Sequence, residues 1–287
     1  MARLGSDREL TATDAGDRTG REFWDRWWQR TPLPAPIDPT HSGLKNYPWR
    51  SFHRYFEEVF RGEPTGEQRL VEIGCGQSVF LPYFARTFGF KVSGLDQSEL
   101  GCERARRILE REQVPGEICL GDLFVPPPAL VGVFDAAFSV GVVEHFNDTP
   151  EAARAVARFL KPGGRMLTIV PNLTGMLGLY QRLLDRALYD AHVVMDRERL
   201  AGAHRQAGLE VESAGYLMPV GLEVLNVESW KSRLARKLVA RTHTAASRLA
   251  WLVDDHVIPL PPNRWTSPYV VCVARKPALG GQDARRC

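Results

Sequence analysis

Val71-Glu-Ile-Gly-Cys-Gly-Gln-Ser78 is the stretch on which the fold turns. It continues a short apolar run, Arg69–Ile73, that ends in glycines. Glycines at 74 and 76 let the backbone turn sharply and approach a ligand closely. Moving outward, Lys91–Leu95, Glu117–Leu120, Phe134–Val140 and Arg165–Val170 are further apolar runs of strand length. Between them lie helical stretches near Phe80–Phe88, Ser98–Glu112 and Thr149–Leu160. In the second, Leu100, Ala105, Ile108 and Leu109 roughly keep a helical period. Lys161-Pro-Gly-Gly164 is read as the stop of the third helix. Strands alternating with helices predict right-handed crossovers and a parallel sheet covered on both faces, an α/β doubly wound fold. Ligands of such sheets sit at the carboxyl ends of the strands, at the switch point.

The residues around the glycines say which ligand. Asp96 ends the second strand about 20 residues on, where a carboxylate can accept both hydroxyls of a ribose. Gly121-Asp-Leu123 follows the third strand, where it can meet an adenine edge. A dinucleotide fingerprint needs a third glycine for close packing beside a pyrophosphate; that position is Val79. Glu72 would also repel a pyrophosphate, whereas it suits the ammonium of a methionine moiety. Charge therefore favours an adenosyl amino acid. A nicotinamide-dependent oxidoreductase is the alternative with different chemistry, and a cofactor-binding module without turnover is the non-enzyme alternative.

Five segments in order carry a resemblance: Glu72-Ile-Gly-Cys-Gly76, Gly94-Leu-Asp-Gln-Ser98, Gly121-Asp-Leu-Phe124, Phe134–Phe146 and Leu160-Lys-Pro-Gly-Gly164. Over about residues 66–171 the chain resembles class I S-adenosylmethionine-dependent methyltransferases, and its Glu-His-Phe and Leu-Lys-Pro-Gly-Gly segments resemble the type 11 group of small-molecule enzymes. The resemblance implies a Rossmann-like seven-stranded sheet with an antiparallel last strand, for which Ser267–Arg275 is the candidate. It implies that Glu72, Gly74, Cys75 and Gly76 line the methionine part of the cofactor. Asp96 would hold the ribose with Gln97 beside the adenine, Asp122 and Leu123 would flank the adenine, and Ser139, Val140 and Gly141 would pass under the cofactor near the methyl. Cys75 receives no thiol chemistry.

The acceptor side is read from the residues. A hydroxyl acceptor is helped by a base of near-neutral pKa, and histidine is the natural choice. His145, just past the fourth strand, is the first candidate; packing against the next helix is its plain structural alternative. Tyr189-Asp-Ala-His192 supplies the second, with Asp190 able to orient His192. Phe23, Trp24, Trp27 and Trp28 form one broad helical face, and Tyr47, Trp49, Phe52, Tyr55 and Phe56 follow. Most should dock a cap onto the core. Tyr47 and Trp49, in a proline-containing loop, are expected to reach the acceptor, as is Tyr180 in the insertion after the fifth strand.

The domain organisation follows: 1–18 disordered, 19–65 a helical cap, 66–277 the catalytic domain with a lid insertion at about 172–206, and 278–287 a tail. Gly208–Tyr216 is a further strand, joined to the last by a helix from about Leu222 to Val253. Trp230–Arg241 places Trp230, Leu234 and Leu238 on one face among basic residues. It reads as a solvated basic face or as a peripheral membrane contact for a lipid- or glycan-linked acceptor.

Composition bounds the rest. The 287 residues are 44% hydrophobic and 25% charged, as expected for a globular chain with a real core. A net charge of +3 does not call for a nucleic-acid partner. Cys75, Cys102, Cys119, Cys272 and Cys287 are odd in number and form no C-x-x-C pair or Cys/His cluster, so neither a disulfide framework nor a metal centre is expected. With no signal-peptide pattern and no run long enough to span a bilayer, a cytoplasmic enzyme is expected.

Overall fold

The computed structural model describes residues 15–225, 230 and 232–278. In chain order the elements are α1 (Gly20–Arg30), α2 (Tyr47–Val59), β1 (Arg69–Ile73), α3 (Phe80–Phe88), β2 (Lys91–Asp96), α4 (Glu99–Arg111), β3 (Gly116–Leu120), β4 (Phe134–Val140), α5 (Thr149–Ala157), β5 (Leu160–Pro171), α6 (Met176–Leu184), α7 (Arg186–Asp190), α8 (Arg197–Gln206), β6 (Glu210–Leu217), α9 (Arg233–His256) and β7 (Tyr269–Arg275). The strands form one sheet in the order β3-β2-β1-β4-β5-β7-β6. β1 to β5 pair in parallel, and β7 runs antiparallel between β5 and β6. The expected Rossmann-like architecture is present.

β1 is central, so both of its faces must be apolar. Leu70, Val71 and Ile73 are fully buried. Val71 and Ile73 join one core with Phe134, Val156, Leu160 and Met166, while Leu70 joins the other with Phe56, Phe84 and Phe138. The second core is held by aromatic edges: the Phe138 ring lies 5.0 Å from Phe84 and 5.1 Å from Phe80, both T-shaped. Such pairs add about 0.5–1.5 kcal/mol each beyond burial. α4 begins where Ser98 accepts from the Gly101 amide, the usual work of an N-cap.

Several boundaries differ from the expectation. β5 begins at Leu160 rather than Arg165, because Lys161–Gly164 forms a bulged strand entry, with Gly163 at φ 80°. The helix expected from Leu222 is found from Arg233, where Ser232 caps it by accepting from the Ala235 amide; a short 3-10 turn, Leu222–Val224, lies before it, and 226–229 of the expected helix are outside the described residues. The lid is shorter than expected. α8 is a crossover helix with Leu200, Ala201, Ala203 and His204 buried against the sheet, which leaves 172–196 as the insertion, itself anchored by buried Leu173, Leu177 and Met195. Residues 15–18 are not a disordered tail: Ala15 is buried and Asp17 bridges Phe146. Residues 1–14, Lys231 and 279–287 of the tail lie outside the described residues. Among the described residues no helix is long and apolar enough to cross a membrane.

Candidate functional site

The carboxyl ends of β1, β2, β3 and β4 open into one cavity of about 990 Å³, counted out through its mouth. Its floor is the glycine loop. Gly74 adopts φ 72°, and a Cβ there would stand 2.5 Å from a methyl of Val142, so only glycine fits. The amides of Gly74 and Cys75 both donate to the Leu95 carbonyl, which folds the loop back over β2. Asp96 braces it from the other side: one carboxylate oxygen accepts from the Gly76 amide at 2.7 Å, the other from the Ser98 amide at 2.8 Å. Burial pushes the Asp96 carboxyl up to about 6, against the pull of those two amides.

The cavity brings together Gly74, Asp96, Gln97, Asp122, Leu123, Val140, Gly141, His145 and His192 among the residues anticipated for it. Glu72, Cys75, Gly76 and Ser139 are not in its lining. Cys75 turns its sulfur under the sheet against Gly94 and is buried, and burial holds its thiol well above the usual range. Gly76 is covered by the Trp28 ring, which comes within 2.4 Å of where its Cβ would be. Glu72 lies beneath the loop, fully buried, with one carboxylate oxygen lacking any partner. Burial, with Asp96 adding repulsion, raises its pKa well above the carboxylate range. A buried carboxylate beside a second one is a costly arrangement that an incoming cation would relieve.

Three acceptor-side expectations are corrected. Tyr47 is not in a loop; it starts α2, stacks on Trp251 at 5.1 Å and donates to Asp254, all within the core. Trp49 packs against Phe52 and Phe80. Tyr180 meets His243 on the outer side of α6. None of the three lines the cavity. The aromatics that do are Trp24 and Trp28 of α1, with Phe146. The signal for Trp24 and Trp28 was present in the i, i+4 face of α1, but nothing local tells which aromatics of a cap face inward. α1 is fixed to the core by Asp25, which accepts from the Ser98 hydroxyl, and by Arg104, which donates to the Thr31 carbonyl.

Glu144, His145 and His192 also line the cavity, the first two from the turn after β4. Glu144 is the middle residue of a short 3-10 turn, Val143–His145, after β4 and was not singled out in the sequence, although it is the first residue of the quoted Glu-His-Phe segment. It is 1% exposed, and no side chain hydrogen-bonds to either carboxylate oxygen. Burial pushes it up to about 8. The His145 Nδ1–H donates to the Ala191 carbonyl at 3.0 Å, and the His192 Nδ1–H to the Leu188 carbonyl at 2.7 Å. A carbonyl only accepts, so Nδ1 carries the proton in both rings and Nε2 is left as a lone pair. Burial, with His192 next, lowers His145 to about 3, and burial lowers His192. Asp190 does not orient His192; it pairs with Arg186 on the surface. The guanidinium of Arg18 instead clamps this turn, donating to the carbonyls of Asp190 and His192.

The sequence matches a family model described as a methyltransferase domain over residues 17–214. Among curated proteins it is similar to an uncharacterized 37.1 kDa protein in transposon TN4556 of Streptomyces fradiae, 29% identical over 62% of this chain and 51% of that protein. It is 29% identical to the ubiquinone biosynthesis O-methyltransferase of Ralstonia nicotianae, over 51% of this chain and 65% of that one. The chain thus spans about half to two thirds of the length of these relatives. Among solved structures, geranyl diphosphate C-methyltransferase from Streptomyces coelicolor A3(2), in complex with Mg2+, geranyl diphosphate and S-adenosyl-L-homocysteine, shares the fold at TM-score 0.58 and 18% identity, over 89% of this chain and 97% of that one. The [4+2]-cyclase SpnF shares it at TM-score 0.55 and 16% identity, over 91% and 96%. The sheet order and the extent of the family match agree, and the chain belongs to the class I S-adenosylmethionine-dependent methyltransferase family.

Proposed function

We propose that the chain binds S-adenosylmethionine in the cavity at the ends of β1 to β4 and methylates an oxygen of a small molecule, such as a natural-product hydroxyl. The observation that carries this reading is the layout of one cavity. Asp96, Gln97, Asp122 and Leu123 enter it from the ends of β2 and β3, where a ribose and an adenine would be held, and His145 enters it beyond β4, on the other side of β1, with His192. Glu72, with its unpartnered oxygen beneath the glycine loop, fits a site built for a cation. When bound, the cofactor supplies an electrophilic methyl on a sulfonium. The chain's own part is to hold and align the acceptor, which can provide most of the acceleration. The apolar walls given by Trp24, Trp28, Val142 and Phe146 keep water from competing. Oxygen as the accepting atom is supported by the O-methyltransferase relatives; the SpnF neighbour is a reminder that this fold also serves other chemistry.

The test is formation of S-adenosylhomocysteine by the purified chain against a panel of phenols, catechols and aliphatic alcohols. Acceptor-dependent product supports the reading. Cofactor binding without product on any acceptor would favour the non-catalytic module.

A second reading places a lipid-linked acceptor at the outer face of α6 and α9. Met176, Leu179 and Leu183 are exposed on α6, as are Leu234 and Leu238 on α9. The helices meet through Tyr180 and His243, and Arg233, Arg236, Lys237 and Arg241 stand on the same stretch of α9. Trp230 leaves this face: it precedes α9 and its indole donates to the Leu184 carbonyl. A mixed apolar and basic surface of this kind suits an anionic membrane.

A further inference from the structure

We propose that Glu144, His145 and His192 form a binding site for one divalent transition-metal ion, open on the cavity side to an acceptor bearing two neighbouring oxygens. A ligand nitrogen of each histidine and a carboxylate oxygen of Glu144 lie within 4.8 Å of one another. A metal with bonds of about 2.0–2.2 Å would draw them closer by side-chain rotation.

Three observations point to a metal rather than to a packed polar cluster. The first is the direction of the imidazoles. Both spend Nδ1–H on a backbone carbonyl, Ala191 for His145 and Leu188 for His192. Metal-bound histidines are held in this way, with the second nitrogen fixed in one tautomer and the first left free. The second is Glu144. A carboxylate that served to orient a histidine would accept from its ring. Here both oxygens are buried and no side chain pairs with either; only the nearby backbone amides of Val142 and Glu144 offset the burial. The third is that the two segments are pinned to each other before any ligand arrives. The Val193 amide donates to the Glu144 carbonyl at 2.6 Å, and Arg18 holds the carbonyls of Asp190 and His192.

Two imidazoles and one carboxylate suit Zn2+, Co2+, Mn2+ or Fe2+ and disfavour Mg2+, which prefers oxygen donors throughout. Three protein ligands leave positions open, as in catalytic rather than structural sites. The open side faces the cavity that also holds Asp96 and Asp122. A catechol or an enolised dicarbonyl would fill two positions with its oxygens. The ion would lower the proton affinity of the bound hydroxyl, whose proton passes to solvent, and no histidine would need to act as base. This last step rests on the methyltransferase reading proposed above; the metal site itself does not.

The experiment uses the full-length chain without a histidine tag, stripped with a chelator and titrated with Co2+ while its visible absorption is followed. One Co2+ per chain is expected, displaced by Zn2+ and not by an excess of Mg2+. Catechol should alter the Co2+ spectrum. Affinity should fall by more than the roughly 10–100-fold typical of losing an outer-shell partner in His192→Ala and in Glu144→Gln. Both variants are checked by circular dichroism and by S-adenosylhomocysteine calorimetry, so that a misfolded variant is not scored. His192 is only partly buried on its turn and is the variant on which the conclusion rests if Glu144→Gln fails to fold. Absence of a stoichiometric site in the wild-type chain, or unchanged affinity in folded His192→Ala, overturns the metal site. A Co2+ spectrum indifferent to catechol overturns the acceptor class. Metal binding without cofactor binding would retire the methyltransferase proposal while leaving the site intact.

Discussion

Single buried polar residues do several different jobs in this chain. His204 of α8 is wholly buried; its Nδ1–H donates to the Leu200 carbonyl and its Nε2 accepts from the Thr168 hydroxyl of β5. It joins helix to sheet as a neutral ring, and burial lowers it from 6.5 to about 4. The folded value lies below the unfolded one, so the unfolded chain takes up the proton first as pH falls. Stability from this group is complete above about 6.5 and is lost progressively down to about 4. The loss amounts to about 3 kcal/mol at 1.36 kcal/mol per unit. Denaturant unfolding of His204→Gln should show a flatter dependence across that window than the wild-type chain. An equally steep decline would assign the acid sensitivity to other groups. His204 carries no sequence pattern that marks it, because Thr168 lies on another element.

At the scale of elements, the first four strands and the fifth strand's core were legible, because buried parallel strands are continuous apolar runs closed by glycine or a charge. β1 and β4 match at both ends. What was not legible depends on tertiary partners. Lys161–Gly164 reads locally as a helix stop, yet Leu160 and Arg165 on either side of it pair with β4, and Gly163 and Gly164 exchange backbone hydrogen bonds with Lys276, which makes it strand. α8 reads as part of a lid, yet its Leu200 and Ala203 face the sheet. Tyr47 was assigned to the acceptor because Pro48 suggested a loop; proline in the first turn is equally at home in a helix, and Tyr47 begins α2. The exposed leucines of α6 and α9 give the membrane reading its own check. Vesicles containing phosphatidylserine should carry the chain upward in a flotation gradient, and Leu234→Glu with Leu238→Glu should abolish this. No flotation of the wild-type chain removes that reading.

For the whole molecule, the sheet sets the site. The strand order reverses beside β1, and the crevice above that point is lined by the ends of β1, β2, β3 and β4, as general rules for open α/β sheets require. Seven of the residues expected at the cofactor, Gly74, Asp96, Gln97, Asp122, Leu123, Val140 and Gly141, are brought together in the cavity lining. The acceptor end was visible only in His145 and His192, whose meeting at 4.6 Å between ring centroids depends on a turn held by Arg18 from the far side of the chain. The cap aromatics could be recognised as a set but not sorted into core and cavity. The most direct measurement is calorimetric titration of S-adenosylhomocysteine into the wild-type chain and into Asp96→Ala. One molecule should bind per wild-type chain, and the variant should bind more weakly by about 1–3 kcal/mol, the range for hydrogen bonds to a charged group. Binding of NADH but not of S-adenosylhomocysteine, or equal affinity in Asp96→Ala, would contradict the assignment of the cavity.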